Sequence, residues 1–189
     1  MKNIIFTKFK DKINFNQRKR LLNIINKINN TTWPKFLTSF KENYKYSYNY
    51  KLIKKYKTYN SINIIGMGGS ALGSRAIHNF LKKKIKKTVN FLDNLNLKKK
   101  QSKHNKSLNI IISKSGNTLE TIVNFSNNYN YKDKNIFITE NRSNYLNKLA
   151  DKLKCEVIEH KNYIGGRYSV LSEVGMLPAQ LMGLNERKF

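Results

Sequence analysis

Apolar and polar positions along this 189-residue chain fall into two regimes that meet near residue 60. In the first, residues 17–30 put Leu21, Ile24, Ile25 and Ile28 on one stripe at the period of an amphipathic helix. Trp33-Pro34 ends or redirects it, because the residue before a proline is driven out of the α region. A Tyr- and Lys-rich polar stretch from Tyr44 to Tyr59 carries no assignable element and reads as a packing arm and linker. There is no internal repeat. Beyond Ser61 the texture changes, and all nine glycines lie there. Short apolar runs at residues 62–65, 89–92, 108–112, 135–139 and 156–158 predict five strands. Helical spacing appears in Ala71, Leu72, Ala76, Ile77, Phe80 and Leu81, then in Leu119, Ile122, Val123 and Phe125. It returns in Leu146, Leu149, Ala150 and Leu153, with Ser143 as the expected cap. A last helix carries Leu171, Val174 and Leu181, and Pro178 is expected to kink or restart it. Near-continuous apolar strands alternating with amphipathic helices define an α/β fold, a doubly wound parallel five-stranded sheet flanked by helices. The expected division is a helical arm over residues 1–60 and a ligand-binding domain over residues 61–189.

Such a sheet takes its ligand in the crevice at the carboxyl ends of its strands, so the loops after strands one and three matter most. The first is Gly66-Met67-Gly68-Gly69-Ser70-Ala71-Leu72-Gly73. Its glycines let backbone N–H groups approach an anion, the following helix directs its positive end there, and Ser70 adds a hydroxyl at the expected cap. The spacing also fits G-x-G-x-x-A, with Asp93 after strand two where a dinucleotide's ribose-binding acid belongs. The structural alternative is a tight packing turn. The second loop, Ser113-Lys114-Ser115-Gly116-Asn117-Thr118-Leu119-Glu120-Thr121, sets four hydroxyls and a lysine around a glycine. Asn117 and Glu120 have capping-box spacing, and plain helix capping is the alternative for the serines and threonines. A dinucleotide site does not need this second loop, whereas a compact phosphorylated ligand does. A third segment runs from Gly165-Gly166-Arg167-Tyr168-Ser169 to Pro178, where two glycines free an arginine to turn toward a cleft. Arg167 as an ordinary ion-pair partner is the alternative.

Composition narrows the classes. No apolar run approaches the ~20 residues of a membrane span. Ile4, Ile5 and Phe6 are too short a core for a signal peptide. The single Cys155 excludes a disulfide framework and a cysteine zinc site, and His78, His104 and His160 are scattered, so no metal is expected. The reading is a reduced, cytoplasmic protein. With 37 Lys plus Arg against 11 Asp plus Glu, the formal charge is +26. The excess is nearly all lysine, with only six arginines, and Asn, Ile, Tyr and Phe share the A- and T-rich codons that produce such a skew. The lysines are dispersed apart from runs at residues 82–84, 86–87 and 98–100, and no nucleic-acid motif occurs. A solvated basic surface without a specific nucleic-acid or membrane partner is expected. A nucleotide- or nucleic-acid-binding protein using the glycine loop, Asp93 and the lysines is the remaining alternative.

Taken together, the three segments resemble the phosphoglucose isomerase family over about residues 60–185. Residues 64–73 look like its first glycine-serine loop. Residues 111–121 look like its serine-rich loop in the form S-K-S-G-N-T-x-E-T, and residues 163–178 like its G-G-R-[FY]-S-x-x-S-x-x-G signature. The resemblance implies a sugar-isomerase domain that interconverts glucose 6-phosphate and fructose 6-phosphate without metal or cofactor, in glycolysis and gluconeogenesis. It implies that Ser70, Ser113, Lys114, Ser115 and Thr118 hold the sugar phosphate, with Gly69 assisting through its backbone. Arg167, presented by Gly166, would stabilise the cis-enediolate. It also implies a homodimer of the complete protein. The family's glutamate base and its ring-opening histidine and lysine lie downstream of the G-G-R segment, in a second sugar-isomerase domain and the C-terminal region. Glu173 and Glu186 match no base motif, so the expectation is a phosphate-binding portion with little activity by itself. A non-catalytic phosphosugar-binding module or regulator is the alternative.

Overall fold

The computed structural model describes residues 15–30, 34–95 and 106–186. Residues 1–10, Trp33, the lysines at 98–100, His104 and the last three residues, which entered the sequence reading, lie outside them, as does the side chain of Ile28. Met1–Pro34 forms one compact unit, in which α1 spans Phe15–Asn30, and Lys35–Phe189 forms the other. The second unit thus begins earlier than the boundary expected at residue 60. Its first elements are a 3₁₀ turn, Lys35–Phe40, and α2, Tyr50–Tyr56, capped by the Asn49 side chain on the Leu52 N–H.

The sheet contains β1 (Ser61–Ile65), β2 (Thr88–Leu92), β3 (Leu108–Ile112), β4 (Lys134–Thr139) and β5 (Glu156–Glu159). All pairs are parallel, in the order β2-β1-β3-β4-β5. The helices between them are α3 (Gly69–Phe80), α4 (Leu119–Asn128) and α5 (Tyr145–Leu153), and α6 (Glu173–Leu181) follows β5. Alternation sorts the strand residues. Ile62, Ile64, Ile110, Ile112, Ile136 and Ile138 meet Val174, Leu177 and Ile53 of α6 and α2 on one face. Ile65, Ile111 and Phe137 meet Phe125, Leu146 and Ala150 of α4 and α5 on the other. Both faces are therefore dry, as the near-continuous isoleucine runs require.

One buried feature was invisible in the hydrophobic pattern. Asn90, Asn63, Asn109 and Asn135 stand at matched register on four adjacent strands. The Asn90 amide donates to Asn63, Asn63 to Asn109 and Asn109 to Asn135, at 3.0, 2.7 and 2.9 Å. Each acceptor is satisfied by the neighbouring donor, so a one-residue slip of any strand would break the chain of bonds as well as flip its side chains.

Pro178 does not restart the helix: α6 runs continuously through it. A proline there leaves the Val174 carbonyl without its helical donor, and the Ser74 hydroxyl of α3 fills that role at 3.0 Å. Ser172 caps the helix through the Val174 N–H, which leaves Leu171 outside it. Asn144, not Ser143, caps α5, accepting from Asn147 N at 2.9 Å. Lys82–Lys84 form an exposed 3₁₀ turn and Lys86 is exposed, while Lys87 turns back onto the Lys57 carbonyl.

The tyrosine-rich stretch is a packed element of the sheet unit. Tyr44, Tyr46 and Tyr48 form a ladder with ring centroids 5.2 and 5.1 Å apart. Under it lies Glu173, fully buried at the start of α6. Its carboxylate accepts from Tyr44 Oη at 3.0 and 2.9 Å, Ser47 N at 2.9 Å and Ser47 Oγ at 3.2 Å. Burial, reinforced by that carboxylate, pushes the Tyr44 phenol far above its ordinary range, so it remains a donor. The Lys161 ammonium lies 4.4 Å from the Tyr44 ring centre and donates to the Lys45 carbonyl. Glu173 thus ties the arm to the helix that follows the G-G-R segment.

Candidate phosphosugar site

In a sheet of order 2-1-3-4-5, the chain leaves β1 and β3 toward opposite faces, and the loops there part to open a crevice. Both glycine- and serine-rich loops follow those two strands. After β1, Gly68 adopts φ +53° and ends the loop, and α3 begins at Gly69, so Ser70 lies inside the first turn instead of capping it. After β3, the hydroxyls of Ser113, Ser115 and Thr118 converge. Ser113 Oγ is 2.8 Å from Thr118 Oγ1 and 3.5 Å from Ser115 Oγ, and Ser115 Oγ is 3.4 Å from Thr118 Oγ1. Ser113 is buried and also accepts from Gly116 N, which makes it the inner member of the group.

The β3 loop is held from the far side by α5. Asn117 Oδ1 accepts from Tyr145 N and Gly116 O from Leu146 N, at 2.9 and 3.0 Å. The capping box expected from Asn117 and Glu120 is therefore absent. Thr118 stands at the N-cap of α4 without a side-chain capping bond, its hydroxyl turned to Ser113 instead, and Asn117 serves α5. Gly116, at φ +67°, lies against Asn144, where a Cβ would come within 2.2 Å of the amide. A side chain there would both strain the backbone and dislodge the α5 cap.

The third segment arrives through backbone contact. Gly166 opens a 3₁₀ turn, Gly166–Tyr168, and packs on Gly69 so closely that a Cβ on Gly69 would be 2.6 Å from the Gly166 carbonyl carbon. Ser169 Oγ, 2.8 Å from Gly166 O and 3.4 Å from Gly69 O, stitches the two loops.

The result is a cleft of about 380 Å³. Of the residues singled out from sequence, Gly69, Ser70, Lys114, Ser115, Thr118 and Gly166 line it. Ser113 supports it from behind, and Arg167 is exposed on the turn beside it without lining it. The start of α3 and of α4 flank it, and both favour an anion. Two further lining residues, Glu140 and Arg142, escaped the sequence reading. Their position just past the carboxyl end of β4 was the available signal. Lys114 Nζ donates to the Asn162 carbonyl at 2.6 Å and lies 3.6 Å from Glu140 Oε1. Asp93, the acid of the dinucleotide alternative, is held by Arg75 of α3 at 2.7 Å.

His160, at the end of β5, is buried, with Nδ1 3.2 Å from the Lys161 carbonyl. Burial pushes its imidazole below the ordinary value near 6.5. The unfolded chain then takes up the proton first, so this contribution to stability is present above pH ~6.5 and is lost as pH falls toward the folded value. Denaturant midpoints between pH 7.5 and 5.5 are expected to fall less in His160→Gln than in the unaltered chain.

Residues 37–187 match the phosphoglucose isomerase family. The chain belongs to that family. A glucose-6-phosphate isomerase of Methanocaldococcus jannaschii is 34% identical over 151 residues, covering 72% of this chain and 37% of the relative. One from Acholeplasma laidlawii is 36% identical over 161 residues, covering 74% and 37%. The chain thus spans a little over a third of the length of these phosphoglucose isomerases. Among solved structures, a hypothetical protein of Thermus thermophilus superposes with TM-score 0.63 at 23% identity, covering 72% of this chain and 37% of that one. The tagatose-6-phosphate ketose/aldose isomerase of Escherichia coli gives 0.57 at 14%, covering 74% and 43%. Both likenesses are of the fold.

Proposed function

We propose that these residues form the phosphate-binding portion of a cytoplasmic isomerase that interconverts glucose 6-phosphate and fructose 6-phosphate. The observation that carries this reading is the meeting of three separate segments at one cleft, with a hydroxyl triad, a lysine and two helix N-termini around it. The hydroxyls of Ser70, Ser115 and Thr118, the Gly69 backbone and the Lys114 ammonium take the phosphate, and Ser113 holds it from behind through its bond to Thr118, a set whose members are mostly donors of charge-assisted bonds. The sugar carbons then extend past Gly166 toward Arg167. A base takes the C2 proton of open-chain glucose 6-phosphate, the electron pair forms the C1–C2 double bond, and negative charge develops on O1. The O2 hydroxyl proton passes to O1, and the proton returned to C1 then leaves a carbonyl at C2 and a hydroxyl at C1, the ketose. Arg167, whose charge persists at any working pH, stabilises the cis-enediolate between the two steps. In this reading the base belongs to the part of the relatives that has no counterpart among these 189 residues, and the complete protein is a homodimer.

The test is isomerisation of fructose 6-phosphate by the 189-residue chain and by a form extended with the C-terminal part that the relatives carry. Turnover by the extended form alone is expected. Thr118→Val in it should lower kcat/KM about ten- to a hundredfold, as expected for one hydrogen bond to a charged group. Turnover by the 189 residues alone would contradict the assignment of the base and move attention to Glu173 and Glu186.

A further inference from the structure

Resting on the phosphate-site reading above, we infer that Arg142 is a second phosphate-binding cation of this cleft, aimed into it by Glu140. Arg142 Nε donates to Glu140 Oε2 at 2.8 Å, a bond that leaves the terminal nitrogens of the guanidinium to other partners, and Arg142 lines the cleft together with Ser115 and Thr118. The segment carrying both residues is held by backbone and amide bonds. Glu140 N donates to the Lys114 carbonyl at 3.1 Å, Arg142 N to the Glu140 carbonyl at 2.9 Å, and Asn147 Nδ2 to the Arg142 carbonyl at 2.6 Å. The backbone that carries Arg142 is therefore held before any ligand arrives, and the Glu140 carboxylate gives its side chain a fixed partner.

Charge arithmetic argues for the same role. Glu140 is a mostly buried carboxylate on the wall of a cleft that is to accept a phosphate dianion. With Lys114 alone beside it, lysine and glutamate cancel, and the dianion meets no net positive charge. Arg142 restores one positive charge, and Glu140 between the two cations relieves their mutual repulsion. The planar fork of an arginine can also face two phosphate oxygens at once, which the Lys114 ammonium cannot. Arg142 is more than half exposed, so its replacement has little effect on packing.

Calorimetric titration of fructose 6-phosphate into the 189-residue chain tests this, with Arg142→Gln, Arg142→Lys and Ser115→Ala compared at matched salt. Arg142→Gln is expected to weaken binding roughly ten- to thirtyfold, the scale of one charge-assisted bond. Its thermal midpoint should be unchanged, and Arg142→Lys should recover part of the loss. Loss in Ser115→Ala with none in Arg142→Gln would leave the phosphate site standing and remove Arg142 from it. No binding by the unaltered chain, or no loss in either variant, would overturn the site and Arg142 together.

Discussion

Gly69→Ala is expected to weaken fructose 6-phosphate binding by more than a hundredfold, while Gly166→Ala, at the other side of the same contact, leaves it within about threefold. The asymmetry is geometric. A Cβ on Gly69 would lie 2.6–2.7 Å from three backbone atoms of Gly166, and backbone cannot rotate aside as a side chain can. A Cβ on Gly166 would meet Gly69 at 3.4 Å, an ordinary contact. The alanine at position 69 must therefore push the G-G-R turn away from the first loop, opening the cleft between the residues that line it. Overpacking of this kind costs about 1–3 kcal/mol of stability, too little to unfold a domain of this size, so the defect appears in binding first. Titrations of both variants, with circular dichroism to confirm folding, check the pair.

Glu173→Ala is expected to destabilise the chain by about 3–5 kcal/mol, the largest stability effect anticipated for a single polar side chain here. Removal of the carboxylate strands the Tyr44 hydroxyl, the Ser47 hydroxyl and the Ser47 N–H, all of which point at it. Each unsatisfied buried donor costs about 1–3 kcal/mol, softened where water enters. Tyr44→Phe removes one donor and leaves the carboxylate two of its four contacts, both from Ser47, so a loss of about 1–2 kcal/mol is expected. Urea midpoints of the two single variants and the double variant measure the coupling, and strict additivity would contradict a shared network.

The five strands were legible because each is a short run of four to six residues built on Ile, Val, Leu or Phe, punctuated by glycine or polar loops. The two loops that line the cleft were legible for the same reason, since their residue types have few structural uses in common. What escaped depends on contacts far apart in sequence. The asparagine ladder reads as four isolated polar interruptions until the strand register aligns them. The Tyr44 to Tyr48 ladder looks like a polar linker until Glu173, 126 residues beyond Ser47, is placed beneath it. Asn117 has the right spacing to cap its own helix, yet α5 comes close enough to take its side chain instead. Glu140 and Arg142 carry no motif, and only the topology brings the end of β4 beside the β3 loop.

In the proposed reading the loops after β1 and β3 bind the phosphate of a phosphosugar. Titrating the ¹⁵N-labelled chain with fructose 6-phosphate, and separately with fructose, tests it most directly. Saturable shifts are expected with fructose 6-phosphate only, concentrated at Gly69, Ser70 and residues 113–118. Equal shifts with fructose, or shifts centred elsewhere, such as around His160, would contradict it.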